Sequence, residues 1–372
     1  MTDDDGPFRE HVRSALADIV LPHAESWEAT GKIDRQGWRS LGDRGLLGLA
    51  HTGPEFMRSA IFLDELGRTG YAGVRAAIGV HAYMALSYLE LFGDDEQRAE
   101  YLPAARQGRR IAALAMTEDN AGSDLRNLGT HAEARPDGGY RVTGKKCYVT
   151  NGSAADFFVT LVRTASAAPT SRVLSQASLL LIDANLPGIT RQEQPLLGWR
   201  SADACTVEFA GVPVPPGRLL GRPGQALVQL MKALDLERLI AGLLAVGGIG
   251  YCLELLRAFV REHRIGDSPM GAKQAIRQQV AELDCDFELV RQYALHAARQ
   301  QCLGRLDTRT ASILKVKSTE LAVTAAQQCL MCHGARGYRQ DSPVSRLYRD
   351  AIGGTIAGGV GALLRDMIYE LG

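Results

Sequence analysis

Three stretches of this sequence carry residue types that do chemistry. Near the C-terminus, QQCLMCHGARGYRQ (Gln327 to Gln340) holds Cys329, Cys332 and His333 in the spacing C-x-x-C-H. Read alone, that spacing is the attachment pattern of a covalently held haem. A zinc site would need two more ligands, yet the nearest upstream cysteine is Cys302 and no second C-x-x-C occurs. The same spacing also suits two small buried side chains one helical turn apart.

The second stretch is ALDLERLIAG, which contains Glu237. Helical spacing puts Glu237 in line with Leu230, Leu234, Ala241 and Leu244, an apolar row in which an ionised carboxylate is desolvated. Desolvation raises a carboxyl pKa toward the range useful for a general base. The alternative for a buried glutamate is pairing with an arginine, of which the chain has many. The third stretch, MTEDNAGSD (Met116 to Asp124), combines hydroxyls with backbone N–H groups on a glycine-containing turn. Such a turn suits a flavin ring edge and a pyrophosphate at close backbone approach. Thr117 and Ser123 also have a plainer use, satisfying the turn's own backbone.

The elements that must position these residues follow from periodicity. From Phe8 to about Arg109 the pattern is helical, and glycine ends most segments, as helix C-caps do. The period then changes. THAEARPDGGYRVTGKKCYVTNG reads as two strands joined at Pro136-Asp137-Gly138-Gly139, and FFVTLVRT, ASLLLIDA and ACTVEFAGVPVP read as further short strands. The Ser- and Ala-rich TASAAPTSRVLSQAS between two of them is expected to be a long hairpin loop. From Gln225 helical periodicity returns in three or four long segments, consistent with an antiparallel bundle.

Composition bounds the class. The chain has 372 residues, 46% hydrophobic and 23% charged, with zero formal net charge. That exceeds what one core usually serves and gives no basic surface for nucleic acid. The start, MTDDDGPFREHV, is acidic and lacks the positive and apolar regions of a secretory signal, and the pattern is not read as spanning a membrane. The expectation is a cytoplasmic protein. Seven cysteines, an odd number, suit a reduced compartment, and an unexported chain weakens the haem reading.

The stretches MTEDNAGSD, YRVTGKKCYVTNGSAADFFVTLVRT, EFAGVPVPPGRLLG, LDLERLIAGLLAVGGIG and GARGYRQDSPVSRLYRDA resemble, in order and spacing, the acyl-CoA dehydrogenase flavoprotein family. The resemblance covers nearly the whole chain and is weakest in the first hundred residues. It implies an α+β multidomain protein with an N-terminal α-helical domain (1–113), a central small β-barrel domain (114–220) and a C-terminal four-helix bundle (221–372).

The activity it implies is flavin-dependent α,β-dehydrogenation of an acyl thioester carried on CoA or an acyl carrier protein. Electrons would pass to an electron-transfer flavoprotein or another acceptor, and the chain would form a homodimer or homotetramer. Two other readings fit the resemblance: a flavin oxidase or monooxygenase on the same scaffold, and a non-catalytic subunit of a mixed oligomer.

For FAD, the resemblance implies contacts from Met116, Thr117, Gly122, Ser123, Tyr148 and Thr150. Arg264, Gly334 and Ala335 would hold the adenosine half of a neighbouring subunit's cofactor, with Arg336 a second candidate cation. In many members the catalytic glutamate follows the RDA motif, but here that place is Gly358. In the branch resembling isovaleryl-CoA dehydrogenase the base sits in an LDLER run, which assigns it to Glu237; Asp235 and Glu254 lack such support. Gly358 would then serve through its backbone N–H to the thioester carbonyl. The adenosine-side pattern departs from the family at His263, Gly266 and Met331.

Overall fold

The computed structural model describes residues 5–164 and 176–372. Its first part is helical: α1 (Asp5–Ile19), α2 (Ala24–Thr30), α3 (Arg35–Asp43), α4 (Phe56–Arg68), α5 (Ala72–Gly79), α6 (Leu86–Phe92) and α7 (Asp95–Arg106). Aspartate side chains cap two of these helices, Asp34 at α3 and Asp94 at α7. The Asp94 carboxylate accepts from Gln97 N at 2.8 Å while the Gln97 side chain accepts from Asp94 N at 3.0 Å, a capping box that opens α7. Such a cap contributes about 1 kcal/mol.

GVHAYMALSYLELFG, which reads as one apolar helical run, is interrupted by a π-helical segment, Val80–Ala85, between α5 and α6. The wider turn aims the Ala82 carbonyl at His51 Nε2, 2.7 Å away. It also buries His81, whose Nδ1 accepts from Ala112 N at 3.0 Å. The ring proton therefore sits on Nε2 and donates to Ala105 O at 3.1 Å. Burial holds the imidazole neutral, with its pKa down at about 4. One histidine thus ties the helical part to the first strand, β1 (Ala112–Ala115).

The middle of the chain forms β2 (His131–Ala134), β3 (Tyr140–Val149), β4 (Phe157–Thr164), β5 (Ala177–Asp183), β6 (Ile189–Glu193), β7 (Cys205–Val214) and β8 (Leu219–Leu220). The expected barrel is instead an open mixed sheet in the order β6-β7-β3-β2-β4-β5-β8, with β1 beside β4. The parallel pairs are β1–β4 and β2–β4. Its outer strands are short, and helices rather than ring closure cover part of it: α6, α7 and the start of the following helix pack on Phe157, Val159, Leu161, Leu179 and Leu181. The predicted hairpin at residues 136–139 joins β2 to β3 antiparallel. The predicted hairpin loop between β4 and β5 lies mostly outside the described residues, and those two strands pair antiparallel.

The last part is α8 (Ala226–Glu262), α9 (Gln274–Cys302), α10 (Thr308–His333), α11 (Pro343–Ile356) and α12 (Gly361–Glu370), with a small ribbon of β9 (Arg264–Ile265) and β10 (Ser268–Pro269). α8 is 37 residues long and apolar enough by length and composition to cross a membrane, a match the sequence reading did not register. Its apolar stretch is 78% buried inside the protein, packing in turn on the sheet, the N-terminal helices and α9–α11. α4 and α8 approach backbone to backbone: a Cβ on Gly67 would lie 2.5 Å from Leu244 O. This central helix carries Glu237.

Candidate active site

Glu237 lies on the α8 face turned toward α6 and is 7% exposed. Its one protein hydrogen bond among the described residues comes from Tyr88, whose hydroxyl donates to Oε1 at 2.8 Å. Among the described residues Oε2 has no protein partner. Burial pushes this carboxyl up to about 7, against the lowering effects of the Tyr88 hydrogen bond and the Arg238 charge. Burial and the Glu237 charge push Tyr88 well above the ordinary phenol range, so it stays protonated and must donate.

Arg238 does not pair with Glu237. Its Nη1 donates to Asp235 Oδ1 at 3.1 Å, and its Nη2 lies 3.7 Å from Met367 Sδ on α12. Asp235 is further engaged by Thr308 Oγ1 at 2.8 Å. Glu254 pairs with Arg68 at 2.6 Å on the surface. The apolar row is present: Leu230 and Leu244 are buried, and Leu234 and Ala241 are half-buried.

Gly358 lies in the turn from α11 to α12, at φ +68°, followed by Gly359 at φ +106°. Only glycine takes such angles freely. A Cβ on Gly358 would meet nothing within 4 Å, so the turn borders open space. Side chains from α8 and α10 reach α12 and this turn. Arg238 reaches Met367, and Lys315 of α10 donates to Gly359 O and, at 3.3 Å, to Thr355 O.

The Met116–Asp124 turn reaches this part of the molecule through its first residue. Met116 packs in the same apolar cluster as Tyr88, Leu230 and Ala233, which brings this turn next to the carboxylate helix. A buried ion pair holds its shape. Lys146, fully buried, donates to Glu118 Oε1 at 2.8 Å and to Met116 O at 3.0 Å, while Glu118 also accepts from Gly129 N and Thr130 N at 2.7 and 2.9 Å. Burial would raise Glu118, but the Lys146 charge and these donors outweigh it and hold the carboxyl below its ordinary value.

β3 runs alongside, with Cys147 N donating to Thr117 O at 2.9 Å. Between Lys146 and Val149 the register against β7 shifts, and Tyr148, at φ +56°, turns out to 58% exposure. A bulge next to a site re-aims a side chain in this way. The hydroxyls of Thr117, Ser123 and Thr150 and the N–H groups of Gly122 and Ser123 have no protein partner among the described residues. Free donors on a tight turn, with an exposed aromatic beside them, fit the ring and pyrophosphate of FAD.

Arg264, Gly334 and Ala335 do not join this group. They follow the far ends of α8 and α10, and at ~1.5 Å per residue Arg264 is about 40 Å along α8 from Glu237. There Arg264 bonds Asp267 O, Gly334 sits at φ +56° beside open space, and Met331 is exposed. Phe259 stacks between His263 (4.8 Å) and His333 (3.9 Å). The C-x-x-C-H residues form the last turns of α10. Cys329 is fully enclosed in the α8–α10 core, His333 Nδ1 bonds Cys329 O at 2.7 Å, and Cys332 is half-buried. Among the described residues no three His, Cys, Asp or Glu side chains gather as a metal site.

Sequence reasoning missed Tyr88, Lys315 and the Glu118–Lys146 pair. Tyr88 stands 149 positions from Glu237, and no local pattern marks their contact. A weak signal for Lys315 was available: in ASILKVKSTE it sits between Leu314 and Val316, both buried.

Comparison with known proteins gives the same order of parts. The chain matches the family descriptions "Acyl-CoA dehydrogenase, N-terminal domain" over residues 2–109, "middle domain" over 113–212 and "C-terminal domain" over 226–371. It is 30% identical to isovaleryl-CoA dehydrogenase of Oryza sativa, over 97% of this chain and 89% of that protein. It is 28% identical to the long-chain specific acyl-CoA dehydrogenase of Rattus norvegicus, over 97% and 84%. The crystal structure of an acyl-CoA dehydrogenase from Geobacillus kaustophilus superposes with a TM-score of 0.93 at 27% identity, covering 100% of this chain and 98% of that one. With three successive domains matched along one chain, and a turn of free donors that fits the family's FAD, this protein belongs to the acyl-CoA dehydrogenase family.

Proposed function

We propose that this protein oxidises an acyl-CoA to the 2-enoyl-CoA, with Glu237 as the base that takes the α-proton. The observation that carries the assignment is the state of that carboxylate: enclosed, raised to about 7, anchored at Oε1 by Tyr88 and unpaired at Oε2 among the described residues. A base poised near neutral pH in a dry site is what removal of a weakly acidic C–H proton needs. As the proton leaves, charge grows on the thioester oxygen, and the Gly358 N–H is the donor that meets it. Thr117, Ser123 and Thr150, with the Gly122 and Ser123 amides, hold FAD beside Tyr148. Bound FAD supplies the acceptor for the β-hydride.

Glycine at 358, with open space where a side chain would stand, supports branched acyl groups as substrates. Arg264, Gly334 and Ala335 lie too far from Glu237 to serve the same cofactor within one chain. Their use requires a second copy, so a homo-oligomer is part of this reading. A cytoplasmic location and an electron-transfer flavoprotein as acceptor complete it.

The test is anaerobic mixing of the FAD-loaded protein with a panel of straight and branched acyl-CoAs and the matching acyl-carrier proteins. Loss of the oxidised-flavin absorbance with the CoA thioesters is the expected result. Bleaching by carrier-protein thioesters alone would move the substrate to that class, and no bleaching by any thioester would sink the proposal.

A further inference from the structure

Lys315 is fully buried at the middle of α10, and no carboxylate bonds its ammonium among the described residues. Its partners are two main-chain carbonyls, Thr355 O at the end of α11 and Gly359 O in the turn that follows. The residue between those acceptors that matters is Gly358, held at φ +68° with open space where a side chain would stand. A lone buried cation is costly unless something negative offsets it. Carbonyl dipoles offset part of the charge. Glu320, one turn further along α10, is itself taken up by Arg365. Arg238, the other cation facing this region, is taken up by Asp235. Burial and the Arg238 charge lower the Lys315 ammonium to about 8, which leaves it charged at neutral pH.

We propose that Lys315 is a positioning residue for the oxyanion donor: it clamps the Gly358–Gly359 turn across two carbonyls and sets a positive charge beside that turn. This inference rests on the reading of Glu237 as base and Gly358 as donor. When the α-proton passes from C2 of the thioester to Glu237 Oε2, the electron pair of that C–H bond moves onto the thioester oxygen. Lys315 stabilises the oxyanion without touching it, by its charge and by holding the carbonyls on either side of the Gly358 N–H, those of Thr355 and Gly359. Preorganised dipoles and charges of this kind act more strongly on the enolate than on the neutral thioester. The contribution therefore falls on kcat more than on KM.

The probe is 3-thiabutanoyl-CoA. A sulfur replaces its C3, so it has no β-hydrogen to give, and deprotonation stops at the enolate. That enolate against oxidised flavin produces a long-wavelength charge-transfer band. The FAD-loaded wild type, Lys315→Met and Lys315→Gln are titrated with the probe across pH. Hydrogen exchange at residues 356–360 is followed on each chain. The expected result is a band formed by the wild type at neutral pH, and in Lys315→Met a ten- to hundredfold smaller enolate-to-neutral ratio with nearly unchanged binding of the neutral probe. Lys315→Gln, which keeps an N–H donor group but no charge, falls on the same side, and exchange at the turn rises most in the methionine variant.

Equal enolate ratios in wild type and both variants would overturn the role of Lys315 while leaving Glu237 as base. No band in the wild type would overturn both. If neither variant folds to bind FAD, Lys315 belongs to the structural core and the proposal is refuted.

Discussion

Replacing Tyr88 with phenylalanine removes one oxygen and one hydrogen bond while keeping the ring that fills the α6–α8 contact. The bond lost is one to a charged group, worth ~1.5–3 kcal/mol. At about 1.36 kcal/mol per pKa unit, the Glu237 carboxyl then rises by roughly one to two units above its value of about 7. The direction follows from which form is held: the phenol donates to the carboxylate, so its loss favours the protonated acid. At pH 7 the ionised fraction falls from about one half to between a tenth and a hundredth.

Anaerobic stopped-flow reduction of the bound flavin by a saturating acyl-CoA reads that fraction directly. The wild-type rate rises with pH through about 7, because only the carboxylate takes a proton. The Tyr88→Phe rate is about five- to fiftyfold lower at pH 7 and recovers toward the wild-type plateau at high pH. Arg238 lies close enough to lower the same carboxyl and is unchanged in the variant, so it does not mask the shift. An acid limb that stays at the wild-type position, with a rate reduced equally at every pH, would refute the claim that Tyr88 sets the state of the base.

Three further outcomes follow from the same geometry. Folding must desolvate Glu237, whose pKa goes from an ordinary 4.5 to about 7, so the native state binds the extra proton between those values and loses stability as pH rises through them. The cost above pH 7 is ~3 kcal/mol, and Glu237→Gln should recover a good part of it in denaturant unfolding at pH 8 but little at pH 4. Gly358→Ala puts a Cβ into open space but forces alanine to φ +68°, so it should lower stability by about 1 kcal/mol with the fold intact. The same variant should slow flavin reduction by branched acyl-CoAs more than by straight ones, measured as the ratio of their rates.

Much of the frame was legible because its signals are periodic. The apolar row of α8, the proline- and glycine-marked hairpin between β2 and β3, and the helical segments at both ends all depend on neighbours a few residues away. The elements that departed from expectation are those set by distant partners. Whether strands close a barrel depends on which outer strands meet, and β6 and β8 are separated by five intervening strands with helices covering part of the sheet. The π segment is six residues long, too short for its wider period to stand out from an α-helix, and its reason is His51 and His81 bonding across to other elements.

At the site, Glu237 was visible from its row, and its environment proved to be Tyr88 rather than an arginine. Lys315 was obscured by its chemistry, since a lysine beside Lys317 on a long helix reads as solvated surface, whereas Lys317 alone is exposed. The C-x-x-C-H motif misled for the opposite reason. Its local spacing was right, but Cys329 had already been claimed by the core.

The most direct measurement is single-turnover flavin reduction by Glu237→Gln. Glutamine keeps the size of the side chain and still accepts from Tyr88, so FAD should remain bound and the spectrum of the oxidised protein should stay close to that of the wild type. Addition of an acyl-CoA that bleaches the wild type should leave that spectrum unchanged over the same time. Bleaching at the wild-type rate would show that another group takes the α-proton, and Glu237 would then be a buried structural residue.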